Sequence, residues 1–329
     1  MRIRIKQALW VGVLVISAGA CQAQQKGQYV PGQYGLNAGV LPYPGITYAN
    51  LTLNYSANKL ANSDGSSLPL NGAYKIWAVE NVFYYTPKTK VLGGRLAMMA
   101  AFPTLANGSL TLGSLNFPNV AVSGGGSGLA DTWLQPVTLG WSGKRFDSFI
   151  GYAFMAPTGR YTPGASDNVG SGYWGNNFLA NMTAYLTRNK ATSANLSTNW
   201  EFHGSKDTGF GTSITPGRTF TMEWGVGQIV PLKKNFSQLL QIGVIGYDQW
   251  QVTENRGFLR PNIPANGLPF YSGHGIGFQT TYMLPGKGLN LVFKYDDEYR
   301  ALASPQGRWI AFGGSYTFRI PKPAASPKP

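Results

Sequence analysis

The clearest feature of the sequence is an alternation of apolar and polar residues with a period of two. In residues 178–186 the apolar side chains share one face, and Asn181, Thr183 and Tyr185 share the other. Residues 195–202, 220–230 and 289–296 repeat the pattern. Successive side chains of a β-strand point to opposite faces, so this period predicts strands with one apolar and one polar face.

Twelve such segments can be delimited, and the connections between them alternate between short and long. The predicted strands are 45–57, 73–86, 91–102, 129–141, 146–156, 177–187, 194–202, 219–230, 236–253, 272–284, 288–301 and 307–318. A soluble β-sandwich also alternates, but an even strand number with short periplasmic turns and long outer loops is typical of bacterial outer-membrane barrels. The sequence therefore predicts an all-β fold: a transmembrane antiparallel up-and-down β-barrel of about 12 strands, over residues 45–318.

The two ends of the chain predict export and insertion from the periplasm. Basic residues precede an apolar run at 8–18, and small residues follow it, which predicts a signal peptide over 1–23. Cys21 is either removed with this peptide or lipidated. Residues 24–44 are predicted to be a periplasmic N-terminal segment, and residues 319–329 a disordered periplasmic tail. No later apolar stretch approaches the ~18 residues of a spanning helix.

Composition supports a membrane barrel and argues against a nucleic-acid partner. The chain has 43 glycines and only 12% charged residues, against about 25% in average soluble proteins. The net charge of +14 lies largely in short turns, where Lys and Arg suit outer-membrane lipids and lipopolysaccharide, or simply keep a turn soluble. An outer-membrane location also implies the outer-membrane assembly machinery as a partner.

Two Gly- and Pro-rich stretches carry a family resemblance. The first is Tyr29-Val30-Pro31-Gly32 with Pro42-Tyr43-Pro44-Gly45 before the first strand, and the second begins at Ala156-Pro157-Thr158-Gly159. Together they resemble the MetA-pathway phenol-degradation family of outer-membrane transporter and porin-like proteins. The resemblance implies passive uptake of a small hydrophobic or aromatic solute, without an enzymatic activity or a cofactor.

A pore needs polar side chains facing inward at membrane depth. The alternation assigns this orientation to Arg95, Asn181, Asn199, Glu201, Glu223, Gln241, Lys294 and Asp296. Both charge signs occur, so strong ion selectivity is not predicted. Alternatively, these charges pair across the interior and fill a narrow barrel. The alternation fails locally near Pro136 and Asp248, where a bulge would redirect side chains.

The long polar loop after residue 156 offers aromatic residues that a membrane girdle does not need. Arg160, Tyr161, Tyr173 and Trp174 are therefore predicted to form a substrate loop in which rings stack on an aromatic solute. Packing within the loop and contact with lipopolysaccharide are the alternatives.

A non-transport barrel, either structural or a lipid hydrolase, is the other function considered. Catalysis by a serine needs a histidine within reach and a third group that orients it. His203-Gly204-Ser205 brings the two residue types together in sequence but shows no third group. Asp296-Asp297-Glu298 alternates across a strand, so no metal site is predicted there.

Overall fold

A closed antiparallel β-barrel forms the body of the protein. The structure is a computed structural model that describes residues 27–114 and 121–318. Twelve strands, numbered here in chain order, build the barrel: β1 (Gly45–Leu60), β2 (Leu70–Thr86), β3 (Gly94–Ser114), β4 (Thr132–Ser142), β5 (Phe146–Ala156), β6 (Gly175–Tyr185), β7 (Thr192–His203), β8 (Thr219–Pro231), β9 (Leu239–Gln251), β10 (Ser272–Leu284), β11 (Leu289–Leu302) and β12 (Pro305–Phe318).

Each strand pairs with its neighbours in sequence, and the first strand pairs with the last. The closing register runs from Ile46 opposite Phe318 to Leu60 opposite Pro305. Closure gives every strand two partners, which removes the free sheet edge. The prediction of an up-and-down barrel of about 12 strands is confirmed.

The chain ends named in the sequence prediction lie beyond the described residues. The signal peptide over 1–23, with Cys21, and the tail over 319–329 are outside the described ranges. Within those ranges, the search for a helix long and apolar enough to cross a membrane finds none.

The faces of the barrel are inverted relative to a soluble protein. On β9, Ile242 and Val244 are 48% and 50% exposed, whereas Gln241 before them and Gln249 after them are fully buried. On this strand the exposed apolar side chains thus point outward and the glutamines inward. This is the arrangement of a barrel whose outer face meets lipid, and it excludes the soluble sandwich.

Several long connections carry small sheets of their own. β2 and β3 pair as far as Leu70 opposite Ser114, so β3 continues well past the predicted end at residue 102. Short strands at Lys206–Asp207, Ser213–Thr215, Arg256–Arg260 and Ile263–Pro264 join the loops after β7 and β9. The alternation predicted the positions of the barrel strands, but it did not predict that the loops between them form paired strands of their own.

Of the two predicted irregularities, one lies where it was expected. The β4–β5 register shifts between Leu134 and Val137, on either side of Pro136. Near Asp248 the register of β9 with both neighbours is unbroken. The shift occurs one strand further on, after His274 in the pairing of β10 with β11.

The outward face of β9 allows a direct test of membrane insertion. Replacing Val244, near the middle of the strand, by Arg should lower the free energy of unfolding from phospholipid vesicles by ~2–4 kcal/mol, because a charge there is buried in lipid. Urea titration of the folded fraction measures this change.

Leu232 provides the matched control, because it is 47% exposed and follows the end of β8. There the same substitution to Arg should change the free energy of unfolding by only ~0–1 kcal/mol. Equal effects at the two positions would contradict the assignment of β9 to the lipid-facing wall.

Candidate functional site

The segment before the first strand lies inside the barrel. Its backbone N–H groups bond to side chains of the inner wall: Tyr34 to Glu223 at 2.8 Å, Asn37 to Asn195 at 2.9 Å and Gly39 to Thr183 at 2.9 Å. The sequence had predicted a periplasmic segment over residues 24–44. The described part of that segment lies inside the barrel instead. The segment shows no alternation, so its own sequence did not reveal that the polar wall binds it.

Two carboxylates of the inner wall accept hydrogen bonds from this segment. Glu223 accepts the hydroxyl of Tyr29 and the N–H groups of Gln33, Tyr34 and Gly35. Glu201 accepts the N–H of Tyr29. Through these bonds the two acids fix the segment where it crosses the interior.

A lysine and an amide bind backbone carbonyls of the same segment, and a second amide binds one of its side chains. Lys294 donates to the carbonyls of Gly32 and Gln33 at 2.7 and 2.8 Å. Asn181 donates to the carbonyl of Ala38 at 3.2 Å. The side chains of Gln241 and Asn37 exchange two bonds of 2.7 and 3.0 Å. Acids thus bind N–H groups and the lysine binds carbonyls.

All the predicted lumen residues face the interior. Asn181, Asn199, Glu201, Glu223, Gln241, Lys294 and Asp296 are at most 5% exposed. Asn199 donates to Asn177 at 2.9 Å. Arg95 is half-buried near the short-turn end, where it donates to the carbonyl of Pro42 at 3.2 Å. Several of these side chains bind the segment, an arrangement that differs from both an open aqueous pore and charges paired only with one another.

The opposite wall of the interior carries an apolar cluster, called the apolar wall here, which the sequence reasoning missed. Buried residues of β2 to β6 form one cluster with Tyr29 and Leu41 of the segment, and Tyr34 packs against it. The ring of Tyr29 lies 5.9 Å from that of Trp133, and the ring of Tyr34 lies 5.9 Å from that of Phe149. The available signal was in β5, which is apolar at inward positions such as Phe149 and Met155 as well as outward.

The loop at residues 157–174 folds over the start of the segment. Asp131 accepts the N–H of Gly159 at 3.0 Å and the N–H of Ser171 at 2.7 Å. Burial raises the pKa of Asp131 above its usual value, against the lowering effect of these bonds. Gln28 then donates to the Ser171 hydroxyl at 2.6 Å. The polar loop is therefore a fastening for the segment.

Close backbone contact within this loop explains two of its glycines. A Cβ built on Gly159 would lie 2.6 Å from the Cα of Gly170. Any larger residue at position 159 would push the two parts of the loop apart.

The four residues of the predicted substrate loop do not form one site. Tyr173 is 2% exposed, with its ring 5.5 Å from that of His203. Trp174 is 55% exposed, with its ring 5.9 Å from that of Phe154. Tyr161 donates to the carbonyl of Asp207 at 2.6 Å, and Arg160 forms an exposed ion pair. The loop therefore does not place these rings on one surface, and their role in binding a solute stays a prediction.

The structure gives His203 and Ser205, considered above as a serine–histidine pair, other hydrogen-bond partners. Both ring nitrogens of His203 have other partners, the carbonyl of Gly217 at 2.8 Å and Glu201 at 3.4 Å. The hydroxyl of Ser205 bonds that of Thr215 at 2.6 Å. Among the described residues, His, Cys, Asp and Glu side chains form no group suited to a metal ion.

Comparisons with known proteins agree with this architecture. A family model described as "Putative MetA-pathway of phenol degradation" matches residues 57–312. The crystal structure of the COG4313 outer membrane channel from Pseudomonas putida F1 matches with a TM-score of 0.68 and 13% identity, over 88% of this chain and 100% of that chain. With the apolar outer face, this likeness in fold identifies an outer-membrane β-barrel protein.

Two further solved structures share less of the fold. The beta domain of the Bordetella autotransporter BrkA gives a TM-score of 0.49 at 12% identity, covering 84% of this chain and 100% of its own. A Pseudomonas aeruginosa FadL homologue gives 0.40 at 10% identity, covering 88% and 98%. No curated protein sequence matches this chain.

The loop fastening can be tested at Asp131. Asp131→Ala leaves the N–H groups of Gly159 and Ser171 without this acceptor, which costs about 1–3 kcal/mol in a buried site. Amide hydrogen exchange across residues 157–174 should become roughly tenfold faster or more. Asp167→Ala is the matched control, because its ion pair with Arg160 is about half exposed and is worth only ~0–1 kcal/mol. Equal exchange in the two variants would contradict the fastening role.

The hold on the segment can be tested at Glu223. Glu223→Ala removes the acceptor for Tyr29 and for three backbone N–H groups, each worth about 1.5–3 kcal/mol when the acceptor is charged. The displaced state of the segment should become at least ~10-fold more populated, which planar-bilayer recording would detect as a larger or more frequent conductance.

Glu254→Ala is the control for charge, because Glu254 is exposed in the loop after β9. It should conduct as the unmodified protein does. A Glu223→Ala barrel that is folded and also conducts like the unmodified protein would show that the segment does not depend on this carboxylate.

Proposed function

This chain belongs to the MetA-pathway phenol-degradation family, and we propose that it is a passive outer-membrane channel for small hydrophobic or aromatic compounds. The observation that carries the proposal is the division of the interior into a polar wall and an apolar wall. The polar wall binds the segment at residues 27–44. The apolar wall is what remains for a solute.

The apolar wall suits an uncharged ring. Trp133, Phe149 and Met155 present aromatic and thioether surface inside the barrel, and aromatic pairs contribute about 0.5–1.5 kcal/mol beyond the area that they bury. A phenolic molecule could replace the contacts that Tyr29 and Tyr34 make there. A sugar would lose hydrogen bonds to water on this wall without replacing them.

Passage along this wall requires the segment to move. Tyr29 and Tyr34 occupy the apolar side while Glu223 and Lys294 hold the backbone between them. A solute that competes for the ring contacts favours the displaced state by its difference in affinity for the two states. Diffusion down a concentration gradient is sufficient to drive such a cycle.

A lock between segment and wall tests the proposal. Asn37 and Gln241 exchange two side-chain bonds, so Asn37→Cys with Gln241→Cys can be bridged by a short, reducible bifunctional thiol reagent. Cys21, the single native cysteine, is replaced by Ala throughout. Proteoliposome swelling compares phenolic solutes with sugars of similar size.

We expect faster entry of phenolic solutes than of sugars, at least ~10-fold slower phenolic entry after bridging, and recovery on reduction. Each single-cysteine variant treated with the same reagent is the control for modification without a bridge. A folded barrel that admits neither solute class, bridged or not, would favour a structural role over transport.

A further inference from the structure

A hydrogen-bonded Asp–His–Ser series lies on the outer face of the barrel. The carboxylate of Asp248 is 2.7 Å from Nδ1 of His274, and Nε2 of the same ring is 3.2 Å from the hydroxyl of Ser272. The acid thus contacts one ring nitrogen and the hydroxyl the other. This is the order of contacts in Ser-His-Asp hydrolases, where the acid orients the ring and the ring accepts the serine proton.

The strands position the three groups without help from a loop. Asp248 of β9 is the direct register partner of His274 of β10. Ser272 and His274 are two residues apart on one strand and therefore share a face. Ile276 and Phe278, which continue that face, are 46% and 48% exposed. The series therefore belongs to the lipid-facing side of the wall.

Its height corresponds to the membrane interface. Ser272 is the first residue of β10 and follows the long connection at residues 252–271, and long connections lie on the outer side of such barrels. Aromatic groups surround the series: Trp224 donates to Asp248 at 3.1 Å, and the ring of Trp250 is 5.4 Å from that of His274. Tyr299, 59% exposed, lies on the far side of that ring.

We propose that Ser272, His274 and Asp248 form a hydrolytic site for acyl esters of membrane lipids. A polar series on a lipid-facing wall has no role in binding the interior segment. Ester carbonyls of glycerolipids lie at the interface, next to the headgroups. Arg300 is exposed and is the register partner of His274, so its positive charge is available to a headgroup phosphate.

The chemistry balances with water as the only co-reactant. The Ser272 oxygen attacks the ester carbonyl carbon while its proton passes to Nε2 of His274. The ester C–O bond then breaks, and the alcohol leaves with that proton. Water attacks the acyl-serine, again giving a proton to His274, and the acid departs as the proton returns to Ser272. Asp248 orients the ring and stabilises its charged form throughout.

Ser272 is only 4% exposed, so the site is closed in this conformation. Its register partner is Trp250, an interfacial side chain whose movement would admit an ester from the lipid side. The proposal is independent of solute passage through the interior, because the series lies on the opposite face of the wall.

Fluorophosphonate labelling of the full-length protein, refolded in mixed micelles of detergent and ester-linked phosphatidylethanolamine, tests the nucleophile. Peptide mass spectrometry should locate the label on Ser272, with none in Ser272→Ala. His274→Gln should slow labelling at least ~100-fold, since a general base contributes about 10²–10⁴. Ser205→Ala is the control, because the Ser205 hydroxyl bonds that of Thr215 and lies outside the proposed site; it should label normally.

Fatty-acid release from ester-linked phosphatidylethanolamine vesicles, with the ether-linked lipid as the matched control, tests the substrate. Heat-modifiable gel migration of each variant shows that the barrel is folded. Absence of label on Ser272 in a folded barrel, or labelling unchanged by His274→Gln, would overturn the site. Labelling without fatty-acid release would overturn the lipid substrate. Solute entry should be the same in Ser272→Ala as in the unmodified protein.

Discussion

The need of buried, irregular backbone for hydrogen-bond partners governs the interior of this barrel. Residues 27–44 contribute no barrel strand, yet they lie among inner-wall side chains. Each N–H or carbonyl left unpaired in such a place costs about 1–3 kcal/mol. The inner wall supplies an acceptor for N–H groups and a donor for carbonyls. Glu201 and Glu223 accept from N–H groups, and Lys294 donates to carbonyls.

This constraint changes the meaning of polar residues at inward positions. In an open pore they would contact water and solute, whereas here several of them bind the chain itself. What is left for a hydrophobic solute is the wall on which Trp133, Phe149 and Met155 lie. Because the rings of Tyr29 and Tyr34 already lie there, the segment and a solute compete for the same surface. The selectivity of such a channel would depend on how well a solute replaces the contacts that the two tyrosine rings make with the apolar wall.

The sequence predicted what depends on short-range periodicity. The inward orientation of Glu201, Glu223 and Lys294 follows from a period of two. The barrel follows from that period together with the even strand number and the alternation of short and long connections. The sequence did not predict the partners, because the bonds to the segment join residues as far apart as Gly32 and Lys294, and no local pattern encodes that distance. Tyr173 and Trp174 show a different failure. They lie in the bend before β6, where strand alternation does not fix the direction of a side chain, and the structure buries the first and exposes the second.

The polar groups of the outer face differ from those inside in what they bind. Asp248 and His274 bond each other, and the β9–β10 register places them on the same face as Ile276 and Phe278. A carboxylate at the lipid interface is destabilising unless it has hydrogen-bond partners. Trp224, His274 and Tyr299 all contact the carboxylate of Asp248. The tryptophan and tyrosine residues of an aromatic girdle do not need a carboxylate as a partner, since they can bond to lipid headgroups and water. A carboxylate that orients a histidine toward a serine accounts for all three residues together, and this is why the outer face, rather than the filled interior, is where chemistry is expected.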